Sequence, residues 1–304
     1  MKTSEQMAFD AQATAALLDY PSLVQMLRRT VVEYGAGRIV SPARLAIPIQ
    51  EGGLMLSMPS SAEDLAIHKL VNVCPSNSKR QIPTIHGQVI ACDSHTGEML
   101  FVLDGPTVTG RRTAAVTALG ISTLLPTPAQ EILVIGTGKQ AANHVEALST
   151  LFPEARLLVK GRSATDARNF VERQKSVSPN LSAVGDGVPD SVDVVVTVTT
   201  SKTPVYNDAA RKGRLVIGVG AFTPDAAEIG KRTVDSSYVV VDDPVGAKHE
   251  AGDLIQARFD WNSLHSLAEA INGQLMLDAP VFFKSVGCAA WDLAACRVAR
   301  DVLS

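Results

Sequence analysis

The sequence predicts an α/β protein: a Rossmann-type, doubly wound parallel sheet joined to a mainly antiparallel α+β domain. From residue 131 onward, short strands rich in Val, Ile and Leu alternate with helical stretches, which is typical of a parallel sheet covered on both faces. Between residues 45 and 103, short apolar segments follow one another with only turns between them, which is typical of antiparallel strands. We therefore expect two domains of different architecture.

The first domain is expected to begin with a helix over about 11–34, where apolar residues recur at helical spacing. Antiparallel strands follow at 45–49, 54–58, 65–73, 84–92 and 98–103, and a helix then runs from Asp104 to about 120. The parallel strands are expected at 131–135, 157–159, 192–198, 214–219 and 238–242, and a last helix at 288–302. The domains are therefore 1–115, completed by the helix of 288–304, and 116–287.

The composition is that of a globular protein, which we expect in the cytoplasm. The chain has 304 residues, of which 46% are hydrophobic, and a net charge of −3. Without clustered Lys and Arg it is not suited to nucleic acid, and no run approaches the ~18 apolar residues that span a bilayer. The N-terminal residues show no apolar signal core. The four cysteines and six histidines are dispersed, so we expect neither disulfides nor a metal site.

A glycine-rich turn follows the first parallel strand and precedes a helical stretch near 143–151. The first glycine of such a turn permits a tight bend, and the second lets backbone amides approach a pyrophosphate. A small residue at its end lets the helix pack closely, with its N-terminus toward the anion. We therefore expect a dinucleotide to contact Gly136, Thr137, Gly138, Lys139, Gln140 and Ala141.

The residues that follow the strand expected at 157–159 favour NADPH as the cofactor. NADH is expected to bind more weakly. An NAD-preferring fold places an Asp or Glu about twenty residues after the glycines, whereas this chain has Lys160, Gly161, Arg162 and Ser163. A guanidinium forks onto a 2′-phosphate, and a serine hydroxyl adds a hydrogen bond. The alternative is that Lys160 and Arg162 form an ordinary solvated loop end.

Lys69 is the leading catalytic candidate. It shares one face of the strand 65–73 with Ile67, Val71 and Val73, and a lysine on an apolar face is costly to bury unless an anion meets it. We expect it to pair with a carboxylate or to donate a proton from a lowered pKa. The alternative is that its ammonium group extends along the surface to water.

Several other residues are weaker candidates for a carboxylate site. Arg44 and the pair Arg111 and Arg112 carry the planar fork that matches a small carboxylic acid, although most such arginines are surface residues. Thr84 and His86 lie on a strand that is expected to line the same cleft, although a lone histidine more often has a structural role.

Two turns follow parallel strands in the second half of the chain, at 199–201 and 218–220. Ligands of open parallel sheets bind at the carboxyl ends of the strands. We therefore assign Thr199, Thr200, Ser201 and Gly220 to the cofactor site, the alternative being that either turn is simply a loop.

Segments lying in order over nearly the whole chain together resemble the ornithine cyclodeaminase/mu-crystallin family. They are Met58-Pro59, Lys69-Leu70-Val71, Asp104-Gly105 with Thr109 and Arg112-Thr113-Ala114-Ala115, the glycine turn 136–141, Thr199-Thr200-Ser201 with Thr203-Pro204-Val205, and Phe283-Lys284-Ser285-Val286-Gly287. The resemblance implies a homodimer whose first domain dimerises and binds substrate, while the second binds the cofactor. It also implies that Arg44, Lys69 and Arg112 surround a substrate carboxylate, and that Thr109, Thr113 and Ser285 contact the cofactor.

The chain departs from the cyclodeaminases of this family at two positions. Phe222 stands where they carry an aspartate after the fourth parallel strand, and Leu56 replaces a glutamate before the Met-Pro pair. A phenylalanine cannot act as a general base, so ornithine cyclisation is disfavoured unless Asp225 takes that place through a shifted loop. Phe222 and Leu56 would instead suit the methylene groups of a ring.

The family also includes bacterial reductases of cyclic imines. They convert Δ1-pyrroline-2-carboxylate to L-proline and Δ1-piperideine-2-carboxylate to L-pipecolate. The resemblance, with the deaminase acid absent, leads us to expect NADPH-dependent reduction of such a small cyclic imino acid. The alternatives are reductive amination of pyruvate, as in alanine dehydrogenase, and a non-catalytic protein that binds a carboxylic ligand with NADPH.

Overall fold

The computed structural model describes residues 7–304, and it confirms the α/β fold class. The strands are β1 (Met7–Ala8), β2 (Leu45–Ile49), β3 (Gly53–Ser61), β4 (Ala66–Val73), β5 (Ile85–Cys92), β6 (Met99–Asp104), β7 (Glu131–Ile135), β8 (Arg156–Lys160), β9 (Ser182–Ala183), β10 (Val194–Thr197), β11 (Leu215–Gly218), β12 (Tyr238–Val241), β13 (His265–Ser266) and β14 (Val281–Lys284). The helices are α1 (Ala11–Leu17), α2 (Tyr20–Gly35), α3 (Gly105–Leu124), α4 (Lys139–Leu151), α5 (Ala164–Gln174), α6 (Lys231–Asp235), α7 (Pro244–Glu250), α8 (Gly252–Ala257), α9 (Leu267–Ile271) and α10 (Ala289–Leu303).

The chain forms two compact units. One runs up to Arg112 and includes Cys288–Ser304, and the other is Thr113–Gly287. The division falls within α3, and the boundary expected from the sequence, after 115, lies slightly further along the same helix. Within residues 7–304, no helix combines the length and the apolar character needed to cross a membrane.

The first unit is built on a six-stranded sheet in the order β1-β6-β5-β4-β3-β2. Its neighbours pair in antiparallel fashion except β1, which runs parallel to β6. Helix α10 packs on α2 and on strands β3, β4 and β5. Every residue of α10 from Ala289 to Ala299 is buried, so this helix forms the centre of the unit's core.

The second unit is built on an eight-stranded sheet in the order β13-β12-β14-β11-β10-β7-β8-β9, in which each neighbouring pair is parallel. The residues of β7, β10 and β11 are buried throughout, as expected for strands covered on both faces. Parallel strands bring their carboxyl ends to one edge. The turns after β7, β8, β10 and β11 therefore lie together.

Two expectations from the sequence were wrong. The single helix over 11–34 is two helices, because Asp19 accepts a hydrogen bond from the Ser22 amide and Pro21 occupies the first turn of α2, which are features of a new helix start. Strand β14 was not predicted, although it lies between β11 and β12. Its short Phe-containing run lacks the Val/Ile/Leu pattern on which the other strands were recognised.

Candidate functional site

Lys69 is buried in the first unit. It lies in β4 beside Ile67 and Val71 on the inner face of the sheet, and its side chain is only 2% exposed. Burial lowers the pKa of Lys69 to about 8, while Asp292 acts to raise it and the charges of Arg112 and Arg44 act to lower it. The ammonium group thus does not extend to water, and it is more acidic than that of an ordinary lysine.

The anion that meets Lys69 is Asp292 of α10. Its Oδ1 accepts a hydrogen bond from Lys69 Nζ at 2.9 Å and another from Arg112 Nε at 3.2 Å. Asp292 is fully buried, and Arg112 is 7% exposed. One carboxylate oxygen therefore holds two cations side by side, and we refer to Lys69, Arg112 and Asp292 as the clamp.

The neighbouring arginines of α3 have different roles. The Arg111 Nε donates to the Leu18 carbonyl at 2.7 Å, and its guanidinium lies 4.0 Å from the centroid of the Tyr20 ring, so Arg111 fastens the start of α2. Arg112 instead uses only Nε for the clamp. Among residues 7–304, its two Nη groups donate to no acceptor. A buried guanidinium with this fork available is suited to receive a carboxylate.

Arg44 and Thr84 were the other predicted substrate residues of the first unit. Arg44 is partly buried just before β2, and its charge acts on Lys69, so the structure brings it near the clamp. Thr84 precedes β5, and its carbonyl accepts the Cys74 amide at 2.7 Å. That position is about 16 Å from Lys69 along the paired strands. The structure does not bring Thr84 together with the clamp.

The glycine turn in the second unit has the geometry of a phosphate site. Gly136 has φ +136°, and a Cβ there would lie 2.8 Å from the Val198 carbonyl oxygen, so only glycine fits. Gly138 caps α4 without a side-chain hydrogen bond, and a Cβ built on it meets no atom within 4 Å. The first amides of α4 are therefore approachable by an anion. Ala141 is fully buried, which lets α4 pack closely. The residues fit a dinucleotide pyrophosphate.

Strand β8 ends beside this turn. The Gly136 amide donates to the Lys160 carbonyl at 2.9 Å, which fixes the two loops next to each other. Arg162 is exposed. The Ser163 hydroxyl caps α5, donating to the Asp166 carboxylate at 2.9 Å and accepting from its amide at 3.1 Å. The basic end of β8 therefore lies where a ribose is expected, although the Ser163 proton is already used in the cap.

Three of the hydroxyl groups predicted to contact the cofactor have hydrogen-bond acceptors within the protein. Thr109 donates to the Gly105 carbonyl at 2.8 Å, Ser201 to the Thr203 carbonyl at 2.6 Å, and Ser285 to Asp242 Oδ2 at 2.8 Å. Thr113 is buried, Thr137 and Thr199 are partly buried, Gln140 is partly buried, and Thr200 and Lys139 are exposed. The contacts of all these residues with a cofactor stay predictions.

Phe222 follows β11 and is 40% exposed, and Leu56 is buried in β3 of the first unit. Asp225 forms an ion pair with Lys202 at 2.7 Å and accepts a hydrogen bond from the Thr223 hydroxyl. These hydrogen bonds, that of Lys202 first, lower the pKa of Asp225. A more acidic carboxyl is a weaker base, so this loop does not supply the missing general base of a cyclodeaminase.

A buried glutamate that the sequence did not reveal joins the strand ends of the second unit. Glu228 is fully buried. It accepts the amide of Thr199, the amide of Gly220 at 2.5 Å and the hydroxyl of Thr197 at 3.0 Å. Burial raises the pKa of Glu228, and the charge of Lys284 acts to lower it. One side chain thus fastens the turns after β10 and β11.

The loop that carries Glu228 is itself fixed by a buried ion pair. Asp253 Oδ1 accepts the amides of Glu228 and Ile229 at 2.6 and 2.8 Å. Its Oδ2 lies 2.7 Å from the Lys284 ammonium, and neither side chain is exposed. A Cβ on Gly220 would lie 2.1 Å from the Thr199 carbonyl oxygen. Glycine is therefore required where the two turns meet.

Sequence reasoning missed Asp292, Glu228 and Asp253. The available signal was the same one that identified Lys69, a charged residue inside an apolar run. Asp292 is flanked by Ala289, Ala290, Trp291 and Leu293, and an acid in such a run is costly to bury without a partner. Its partner on β4 is 223 residues away in the chain, so the sequence alone could not predict that these two residues pair.

The glycine turn of the parallel sheet fits a dinucleotide and the clamp fits a carboxylate, a combination that suits a nicotinamide-dependent oxidoreductase. Comparison with known proteins supports this class. The model of the ornithine cyclodeaminase/mu-crystallin family matches residues 5–304, and the chain therefore belongs to this family, as the sequence motifs predicted.

Named relatives cover nearly the whole chain. A Δ1-pyrroline-2-carboxylate reductase from Burkholderia multivorans is 66% identical, over 97% of this chain and 96% of its own length. A Δ1-pyrroline-2-carboxylate/Δ1-piperideine-2-carboxylate reductase from Azospirillum brasilense is 63% identical over the same shares. The structure of Thermococcus litoralis Δ1-pyrroline-2-carboxylate reductase with NADH and L-proline has a TM-score of 0.87 at 24% identity, covering 97% of both chains. This last match shows the shared fold.

Replacing Glu228 tests whether it fastens the strand ends. Glu228→Ala leaves the partly buried amides of Thr199 and Gly220 without their acceptor, so we expect the free energy of unfolding to fall by about 2–4 kcal/mol. Urea denaturation measures this change. Glu172→Ala is the matched control, because Glu172 is 75% exposed on α5. Equal stability of the two variants would show that the network does not support the fold.

Proposed function

We propose that this chain is an NADPH-dependent reductase of cyclic imino acids, with Δ1-pyrroline-2-carboxylate as substrate and L-proline as product. The observation that carries the proposal is the open guanidinium fork of Arg112 in the clamp. The clamp brings two positive groups and one negative group, so its charge favours binding of a further anion. Relatives at 63% and 66% identity bear the names of reductases of these imines.

The residues of the clamp divide the work of the reaction. Bound NADPH supplies a hydride for the imine carbon. The carbon–nitrogen double bond becomes single, and the nitrogen takes up a proton. Lys69 holds that proton on Nζ. Its pKa of about 8 leaves it protonated at neutral pH and makes it a stronger acid than an ordinary lysine. Arg112 holds the carboxylate beside the reacting carbon and fixes the face presented to the hydride.

The six-membered imine Δ1-piperideine-2-carboxylate belongs to the same proposal. It presents the same carboxylate and the same carbon–nitrogen bond, and the Azospirillum brasilense relative is named for both substrates. The clamp contacts only the features that the two imines share. We therefore propose that both rings are reduced, with L-pipecolate as the second product.

A substrate panel with NADPH tests the activity, read as loss of absorbance of the reduced nicotinamide at about 340 nm. We expect turnover of the cyclic imines at ordinary enzyme rates, on the order of 1–10³ per second. Faster oxidation with pyruvate and ammonia would instead assign an alanine dehydrogenase. Binding of carboxylic ligands without turnover of any substrate would assign a non-catalytic protein.

Removing the Arg112 fork tests the carboxylate contact. Arg112→Ala is expected to lower kcat/KM for the imine. The decrease should correspond to a loss of about 2–4 kcal/mol of transition-state stabilisation, as for loss of a desolvated charge pair. The dissociation constant of NADPH should change little. Arg29→Ala is the control, because Arg29 is 64% exposed on α2. Wild-type kcat/KM in the Arg112 variant would remove this arginine from the site.

We propose NADPH rather than NADH as the preferred cofactor. The supporting observations are the basic end of β8, the exposed Arg162 guanidinium and the Lys160 carbonyl bonded to the Gly136 amide. The residues immediately after β8, 161–163, include no carboxylate to repel a 2′-phosphate. Arg162 offers the phosphate a bidentate partner.

Arg162→Ala tests this preference. We expect KM for NADPH to rise at least tenfold and KM for NADH to stay within about twofold, since only NADPH carries the 2′-phosphate. Arg168→Ala on α5 is the control, an exposed arginine further from the end of β8. Equal changes for both cofactors would refute a phosphate contact.

We also propose that the protein is a homodimer formed through the outer face of the first unit's sheet. This face exposes Leu45 (60%), Ile47 (43%), Met55 (41%) and Leu70 (47%). The strand register places them together, since Ile47 pairs with Met55, and Ser57 pairs with both Leu45 and Leu70. A contiguous exposed apolar surface of this kind marks an interaction site. The family resemblance agrees with it.

A charge at the centre of this face should separate the subunits. Leu70→Lys is expected to lower the sedimenting mass from that of a dimer to that of a monomer at micromolar concentration, because a buried lysine would lack a partner. Met276→Lys is the control, being 80% exposed in the second unit. An unchanged dimer in the Leu70 variant would place the interface elsewhere.

A further inference from the structure

Asp292 differs from an ordinary counter-ion in how it contacts the clamp. Both contacts, with Lys69 and with Arg112, fall on Oδ1. Within residues 7–304, Oδ2 accepts no hydrogen bond. A carboxylate usually presents its two oxygens to the two nitrogens of one guanidinium. Here a single oxygen instead fixes the distance between two different cations.

The two cations would separate without this oxygen. The charge of Arg112 lowers the pKa of Lys69, which means that the groups repel each other at short range. Both are buried, so water screens this repulsion little. Their spacing therefore depends on the position of Asp292.

The helix that carries Asp292 leaves it little freedom to move. Trp291, the preceding residue, is fully buried and meets the Tyr34 ring edge-on at 5.5 Å. One turn and a half further on, Arg297 donates to Asp64 at 2.6 Å and to Glu33 at 2.7 Å. These contacts fix α10 against α2 and the turn between β3 and β4. The carboxylate of Asp292 is therefore held rigidly.

We propose that Asp292 is a positioning residue for the reduction, which holds the Lys69 ammonium and the Arg112 guanidinium at the spacing that one cyclic imino acid requires. The imino acid carries its carboxylate on the carbon next to the nitrogen, so the carboxylate acceptor and the proton donor must be fixed relative to each other. Asp292 supplies that fixed relation and contacts neither reacting atom. The inference rests on the proposed function.

Two variants separate the charge of Asp292 from its position. Asp292→Asn keeps the shape and one acceptor oxygen but removes the charge, whereas Asp292→Glu keeps the charge and moves it by one methylene. We expect both to raise KM for the imine at least tenfold while the dissociation constant of NADPH changes less than twofold. Since the attraction of Asp292 raises the pKa of Lys69, only the Asn variant should shift the alkaline limb of the kcat profile, to lower pH by about one unit or more.

Nuclear magnetic resonance of [13C,15N]lysine-labelled protein gives a second readout that does not depend on turnover. The Lys69 signal, assigned by its loss in Lys69→Met, should titrate near pH 8 in the wild type and the Glu variant, and lower in the Asn variant. The groups facing Lys69 are Arg44 before β2, Arg112 on α3, and Asp292 and Cys296 on α10. Burial raises the pKa of the Cys296 thiol, so this thiol stays neutral over the range measured.

Asp301→Asn is the matched control, because it removes an exposed carboxylate of α10 that pairs with Arg300 and lies outside the clamp. We expect it to change neither KM nor the Lys69 titration. Imine KM values within twofold of wild type in both folded Asp292 variants would overturn the proposal, and so would an unchanged Lys69 titration in the Asn variant. If the Asn variant does not fold, an unchanged imine KM in the Glu variant alone would overturn the proposal.

The test distinguishes this inference from the proposed function. If the wild type reduces no cyclic imine, the proposed function fails whatever the variants do. In that case, calorimetric titration with L-proline in the presence of NADP⁺ replaces KM. Weaker L-proline binding in both Asp292 variants then supports the positioning role, and unchanged or absent binding in every protein, wild type included, refutes it.

Discussion

Two buried cations held by one carboxylate oxygen are the constraint on which the first unit of this protein depends. Lys69 and Arg112 are almost fully removed from water, and Asp292 balances only one of their two charges. A buried charge without compensation is costly in a protein interior. The net positive charge of the clamp therefore attracts a further anion. The planar guanidinium fork of Arg112 matches the geometry of a carboxylate.

The second unit shows the opposite arrangement, in which buried carboxylates bind the backbone of the protein itself. There the buried charges face inward onto the protein itself, since Glu228 and Asp253 accept amides from the loops they support. Satisfying these amides internally fixes the loops, while the glycine turn and the start of α4 stay approachable by an anion. Rigid strand ends suit a cofactor that must be held in one orientation for hydride transfer.

The fold and much of the site followed from the sequence for local reasons. Alternating strands and helices, the glycine turn and the lysine on an apolar strand face are each visible within about twenty residues. The site residues that the sequence did not predict depend on contacts between distant positions of the chain. Asp292 meets Lys69 across 223 positions, and Glu228 bonds with Thr199 across 29. Arg111 and Arg112 were equivalent as neighbours in sequence, because only the packing of α3 decides which one meets Tyr20 and which meets Asp292.

The imbalance of charge also bears on the order of steps in the proposed reaction. In the free protein burial lowers the pKa of Lys69 and the charges of Arg112 and Arg44 add to that lowering, while Asp292 counters the combined effect only in part. A substrate carboxylate bound at Arg112 adds a second negative charge, which acts in the same direction as Asp292 and raises that pKa. Lys69 therefore holds its proton more firmly once the imino acid is bound than before. In the proposed reaction the proton passes from Lys69 to the substrate nitrogen as the hydride reaches the carbon, since an amine binds a proton far more strongly than an imine. The charge that would attract the substrate would thus also keep the proton on Lys69 until hydride transfer begins.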